Sequence, residues 1–270
     1  MKRPPNKIKF KDDIKILFLD LETMPNIVAA WRCGYKLNIG TDSILQERFI
    51  LSAQWAWNEE KAVGMLANFK KRDDKKLIKT ISKEIAKADI IVGHNIRKFD
   101  LPWIEGRAFI HGLPPIGVGY IPHLDTMKMA KATLGLNGYS MNYLSKLIGG
   151  LSKTPTHYSD WIQVLMDKDV ARAEHLLKYG IKDVVINRDL FRALLPYGKL
   201  TTHMGVLAKG DKYSCPACGG KTVSHGRRVT ASGNVQARRR CNACGNVSVA
   251  PAARDVAVAE QLFKYCIKDK

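Results

Sequence analysis

Two hundred and seventy residues, 46% hydrophobic and 26% charged, are enough to bury a core and too apolar for a disordered chain. The formal net charge of +19 exceeds what solubility needs, which favours a polyanionic partner, nucleic acid first. No apolar run reaches the roughly 18 to 20 residues of a membrane span, and residues 1–15 are basic without a signal-peptide core, so the expectation is no membrane and a cytoplasmic location.

Alternating strand-like and helix-like stretches fill the first two thirds, the pattern of an α/β domain. Residues 14–22 form an almost continuous apolar run ending in acids, as in a central strand that opens onto a site. Residues 27–35, 49–57 and 61–69, rich in β-branched and aromatic side chains, predict further strands. Across residues 75–87, Leu77, Ile78, Ile81 and Ile85 recur at helical spacing, and a short buried strand follows at 90–93. Helices are expected over 101–111, 125–134, 141–148 and 169–194. The composition changes at Pro196: between Lys209 and Arg240, eight Lys or Arg accompany Asp211 alone. The expected layout is a first domain over 1–200, a small module over 210–250 and a helix over 254–270.

Alternation along the first strand sends Asp20 and Glu22 to one face, where two carboxylates repel unless a hard divalent cation binds them. Taken alone, the pair reads equally well as a solvated acidic turn. Asp100 closes the stretch Gly93-His94-Asn95-Ile96-Arg97-Lys98-Phe99-Asp100 and precedes an apolar helix start that would fix it in place. Tyr179 and Asp183, spaced i, i+4, share a helix face and can enter one pocket. Asp125 is explained as a helix N-cap. His94, His111, His123 and His157 have no ligand spacing. Tyr265 and Asp269 repeat the Y-x-x-x-D pattern at the chain end, without a following helix.

The order D-x-E on a first strand, N-x-x-x-F-D after a later strand and Y-x-x-x-D on a late helix resembles the DEDD superfamily of 3′-to-5′ exonucleases. Within it the chain is most similar to stand-alone phage and bacterial relatives of the family-B DNA polymerase proofreading exonuclease. The resemblance covers residues 14–197, including His123-Leu124-Asp125-Thr126. It implies a ribonuclease H-like α/β fold, a mixed sheet flanked by helices. It also implies that Asp20, Glu22, Asp100 and Asp183 hold two Mg²⁺ or Mn²⁺ ions, one on Asp20, Glu22 and Asp183 to activate water, the other mainly on Asp20 and Asp100 to stabilise the leaving 3′ oxygen. Tyr179, as the tyrosine-subclass residue, orients or helps deprotonate that water; Lys178 stands where the histidine subclass has its histidine. Leu21, Met24, Asn95 and Phe99 are expected beside the terminal nucleotide, although a Met or Phe serves a core and an Asn a turn equally well.

Cys215-Pro216-Ala217-Cys218 and Cys241-Asn242-Ala243-Cys244, with 22 residues between them, have the spacing of a four-cysteine zinc site, and Gly219 and Gly245 ease the tight turns. Four thiolates around one Zn²⁺ make a closed structural site, and the module resembles the zinc ribbon that ends similar phage exonucleases. Arg238, Arg239 and Arg240 on its hairpin are expected to contact phosphate. Cys33 and Cys266 are read as buried thiols. The expected activity is metal-dependent hydrolysis of DNA from 3′ ends to nucleoside 5′-monophosphates, in the host cytoplasm if phage-encoded. Replication or recombination proteins are candidate partners, and the length leaves no room for a polymerase domain. The alternatives are a 3′-to-5′ exoribonuclease and a non-catalytic nucleic-acid-binding protein on the same fold.

Overall fold

Strand β1 (Ile16–Met24) is buried on both faces through its first half, as its unbroken apolar run requires. The computed structural model describes residues 14–250 apart from 33, 35–36, 59, 61–62, 68–71, 168 and 199. The expected helix at 254–270, the second Y-x-x-x-D copy, Cys33 and Cys266 lie outside the described residues.

β1 is the middle strand of a five-stranded sheet. On one side β4 (Phe49–Trp57) pairs with it antiparallel, and β5 (Gly64–Ala67) adds antiparallel to β4. On the other side β6 (Ile90–Gly93) and then β7 (His123–Asp125) run parallel to it. The result is the expected α/β architecture, a mixed sheet flanked by helices.

Parity along β1 sorts the core. Leu17, Leu19 and Leu21 pack with Leu77, Ile78, Ile81 and Ile85 of α1 (Lys75–Ile85) and with Leu101, Ile104 and Ala108 of α2 (Asp100–Ile110). Phe18, on the opposite face, meets Phe191 of α6 (Val170–Leu194) edge-on at 5.8 Å between ring centroids. Asp20 and Glu22 have the parity of Phe18, so β1 presents its acids to the α6 side. After a register shift at Glu22/Thr23, Met24 joins a second cluster with Phe49, Leu51, Ala173, Leu176 and Val164 of α5 (Tyr158–Asp167).

Of the strand expected over 27–35, only β2 (Ile27–Val28) forms among the described residues, pairing with β3 (Ile44–Gln46). The helices α3 (Thr126–Thr133) and α4 (Met141–Leu147) fall where expected, the latter capped by Ser140, whose hydroxyl accepts the Tyr143 N–H. Strand β7 and helix α5 were not anticipated. β7 is three residues long, too short for a periodic signal, and exists through its pairing with β6.

The chain divides into two compact units. Lys15–Lys128 with Gly138–Phe191 hold the five-stranded sheet. The other unit takes Met129–Asn137 and the chain from Arg192. It contains α7 (Met204–Leu207) and a three-stranded sheet in which β9 (Val235–Cys241) pairs antiparallel with both β8 (Thr222–Val229) and β10 (Val247–Val249). The turn glycines Gly219 and Gly245 have φ of +72° and +74°, left-handed values that a side chain would strain. They let Ala217 N–H approach Cys215 Sγ and Ala243 N–H approach Cys241 Sγ. Asn246, buried, donates from Nδ2 to the carbonyls of Leu195 and Gly198, joining this sheet to the segment that follows α6. No helix among the described residues is long and apolar enough to cross a membrane.

Candidate active site

Three elements bring carboxylates to one point. Asp20 and Glu22 of β1 and Asp183 of α6 each offer an oxygen, and the three oxygens lie within 4.8 Å of one another. Asp100, the first residue of α2, joins from the β6 side, its Oδ1 accepting the Leu21 N–H at 3.1 Å. Close approach of α6 to the sheet makes this possible. Gly180 lies on Gln54 of β4, the cross-strand partner of Asp20, and Tyr179 and Asp183 flank that glycine on the helix.

Burial and mutual repulsion disfavour ionisation here. Burial, then the charges of Asp100, Glu22 and Asp183, hold Asp20 well above the ordinary carboxylate range. Burial followed by Asp183 pushes Glu22 to about 8, and burial pushes Asp100 to about 7. Asp183 is raised mainly by burial, against the opposing pull of Lys153. Its Oδ1 is buried with no hydrogen-bond partner among the described residues. A cluster of oxygen donors with a bare buried carboxylate oxygen fits a hard divalent cation.

Lys153 was missed by sequence reasoning. Its Nζ lies 2.5 Å from Asp183 Oδ2 and donates to the Tyr179 hydroxyl at 2.8 Å. Burial works against the ammonium, but Asp183 and Tyr179 outweigh it and keep Lys153 charged. It stands in an irregular segment between α4 and α5, where no periodicity marks it. Tyr179, packed edge-on against Trp161, is pushed to about 12, chiefly by burial and by Asp183.

These groups line an open cleft of about 690 Å³. Asn95 and Phe99 reach it as expected. Asn95 has φ of +65°, and its N–H donates to Asp125 Oδ1, which also accepts the N–H groups of Met127 and Lys128 as the N-cap of α3. Leu21 borders the cleft through its backbone, because parity turns its side chain into the opposite core. Met24 also borders it but is only 2% exposed and packs as a core residue. Arg48 and Trp103, which the sequence did not single out, stand in the cleft wall.

Asp73, Asp74 and His111 also bring ligand atoms within 4.8 Å. There Arg107 forks onto Asp74, Nε 2.8 Å from Oδ2 and Nη2 2.8 Å from Oδ1, and the Ile50 N–H donates to Oδ2 at 2.7 Å. Burial opposes ionisation of Asp74, but these bonds and that of His111 hold it below its ordinary range. A carboxylate spent in this way ties β4, α1 and α2 together instead of holding a cation.

The four cysteines form a separate cluster, with Cys215 and Cys244 sulfurs 3.6 Å apart and Cys218 and Cys241 likewise. On the hairpin beside it, Arg238 and Arg240 are exposed. Arg239 is half-buried and donates from Nε and Nη2 to Thr222, which binds it to the module itself.

Residues 56–128 match the exonuclease domain of DNA polymerase family B. The five-stranded arrangement is similar to the family-B DNA polymerase of the hyperthermophilic archaeon Pyrobaculum calidifontis, with a TM-score of 0.50 and 15% identity over 72% of this chain. The fold is that of a DEDD-type proofreading exonuclease. The chain spans about a quarter, 26%, of that polymerase's length. None of the curated proteins matches it in sequence. The stretch matched by the exonuclease-domain family contains Asp100 but not Asp20, Glu22, Tyr179 or Asp183, so the placement of those four beside Asp100 comes from the fold.

Proposed function

We propose that the chain is a metal-dependent 3′-to-5′ exonuclease of the tyrosine subclass, releasing nucleoside 5′-monophosphates from DNA. The observation that carries this reading is the convergence of Asp20, Glu22 and Asp183, with Asp100 beside them, on a cleft that contains a bare carboxylate oxygen. Asp20, Glu22 and Asp183 would hold one Mg²⁺ or Mn²⁺, and Asp20 with Asp100 a second. When bound, such ions lower the pKa of water and stabilise charge on the leaving 3′ oxygen.

The protein supplies orientation. With its pKa near 12, Tyr179 stays protonated at neutral pH and orients water through its hydroxyl instead of deprotonating it. Lys153 steadies that hydroxyl and offsets part of the negative charge at Asp183. Phe99 and Asn95 would border the terminal nucleotide. The four cysteines would hold one structural Zn²⁺ in a ribbon, with Arg238 and Arg240 taking phosphates. The chain is then a relative of the stand-alone phage and bacterial enzymes, at work on DNA in the cytoplasm.

End-labelled single- and double-stranded DNA and RNA, incubated with Mg²⁺, Mn²⁺ or chelator, test this directly. Expected are mononucleotide products from DNA that disappear with chelator and in Asp20→Asn. Cleavage of RNA alone makes the chain an exoribonuclease, and binding without cleavage under every metal condition makes it a non-catalytic module.

A further inference from the structure

The cleft wall next to Asp100 is built as a stack. Trp103 lies one turn along α2 from Asp100, about 5–6 Å between neighbouring Cβ atoms. Its ring packs against Phe99 with centroids 5.8 Å apart, and the Arg48 guanidinium carbon lies 4.4 Å from the Trp103 centroid. All three residues line the cleft.

Arg48 is exposed, yet its backbone is fixed on both sides. Its N–H donates to Asn26 Oδ1 at 2.6 Å, and its carbonyl accepts from Arg107 Nη1 at 2.9 Å. Arg107 is clamped in turn by Asp74, which is fully buried. A chain of charge-assisted bonds therefore runs from the interior to the root of one solvent-facing arginine. Among the described residues no carboxylate pairs with the Arg48 guanidinium. A guanidinium over an aromatic face keeps its in-plane N–H donors available for a phosphate.

We propose that Arg48, Trp103 and Phe99 form a subsite for the nucleotide adjoining the one removed, Arg48 taking its phosphate and the two rings its base. The proposal rests on the exonuclease reading and adds to it a substrate requirement. Stacking on aromatic side chains is blind to base identity but needs an unpaired base, so the strand must be single at its last two nucleotides.

The test is anisotropy of fluorescein-labelled (dT)4 with the full chain in Ca²⁺ across a salt series. Arg48→Ala keeps the backbone bonds at residue 48 and is expected to weaken binding about tenfold. It should also flatten the slope of log affinity against log salt by about 0.7, the loss of one phosphate contact. Arg48→Lys should keep the slope and recover only part of the affinity. Unchanged affinity and slope in Arg48→Ala, or no binding of (dT)4 by the wild type, overturns the subsite. The exonuclease reading is checked separately by hydrolysis of (dT)4 and of the p-nitrophenyl ester of thymidine 5′-monophosphate, which lacks the adjoining nucleotide. If the wild type cleaves neither in Mn²⁺, that reading falls while the binding result still decides Arg48. If it cleaves both, the preference for (dT)4 over the ester should shrink about tenfold in Arg48→Ala, and an unaltered preference overturns the subsite.

Discussion

Gly180 of α6 lies so close to Gln54 of β4 that a Cβ at position 180 would come within 2.6 Å of Gln54 Cδ. The contact sets how far Tyr179 and Asp183 reach toward Asp20. Gly180→Ala is therefore expected to push the helix outward, costing about 1–3 kcal/mol in stability and about 100-fold in single-turnover rate. Only the end of the Gln54 side chain obstructs the new methyl, so adding Gln54→Ala should restore much of the rate. Full activity in Gly180→Ala alone would show that this approach does not position the site.

The carboxylates give the metal-free protein a definite pH dependence. Folding raises Glu22 to about 8 and Asp100 to about 7, from ordinary values near 4. Between those limits the folded chain binds more protons than the unfolded one, so the stability these groups permit is complete below about pH 4 and declines as pH rises toward 8. Melting in chelator should shift to lower temperature from pH 5 to pH 8, and Mn²⁺ should oppose the shift. Glu22→Gln should flatten the profile; a profile as steep as the wild type's would mean other groups set it.

Lys153 should matter most when no divalent cation is present. In chelator near pH 8, Lys153→Met removes the ammonium from a buried carboxylate and is expected to cost about 1–3 kcal/mol, less than a fully buried pair because the lysine is partly exposed. In Mn²⁺ the deficit should shrink, since the cation takes over the neutralisation of Asp183. An equal deficit in both conditions would show that the cation does not share this carboxylate.

The cysteine module should contain one zinc per chain, measurable by elemental analysis, and its removal should expose four thiols to a colorimetric reagent. Arg238→Glu and Arg240→Glu should each lower the salt slope of DNA binding by at least about 0.7 without releasing zinc. Arg239→Glu should instead destabilise the module through the lost bonds to Thr222. Zinc retention and stability measured on the three variants separate the roles.

Much of this molecule was legible in its sequence where periodicity and chemistry coincide. The apolar run of β1 ending in Asp20 and Glu22, the spacing of Tyr179 and Asp183, and the cysteine pairs all appear in the fold as compact local features. What stayed hidden depends on pairing across distance. Lys153 meets Asp183 from 30 positions away, out of an irregular segment, and Arg48 gains its meaning only from Trp103 and Arg107. Arg239 looked like its neighbours in a basic run, yet strand alternation and Thr222 give it a different task.

The alternation of β1 also limits how this strand can change over time. Core leucines and site carboxylates occupy opposite faces of the same few residues, Leu17, Leu19 and Leu21 on one and Asp20 and Glu22 on the other. Inserting or deleting a single residue between Ile16 and Asp20 would exchange the two sets, driving charges into the apolar layer and leucines into the cleft. Substitutions of similar size at Leu17 or Leu19 disturb neither face so deeply. The strand can drift in composition but not in length.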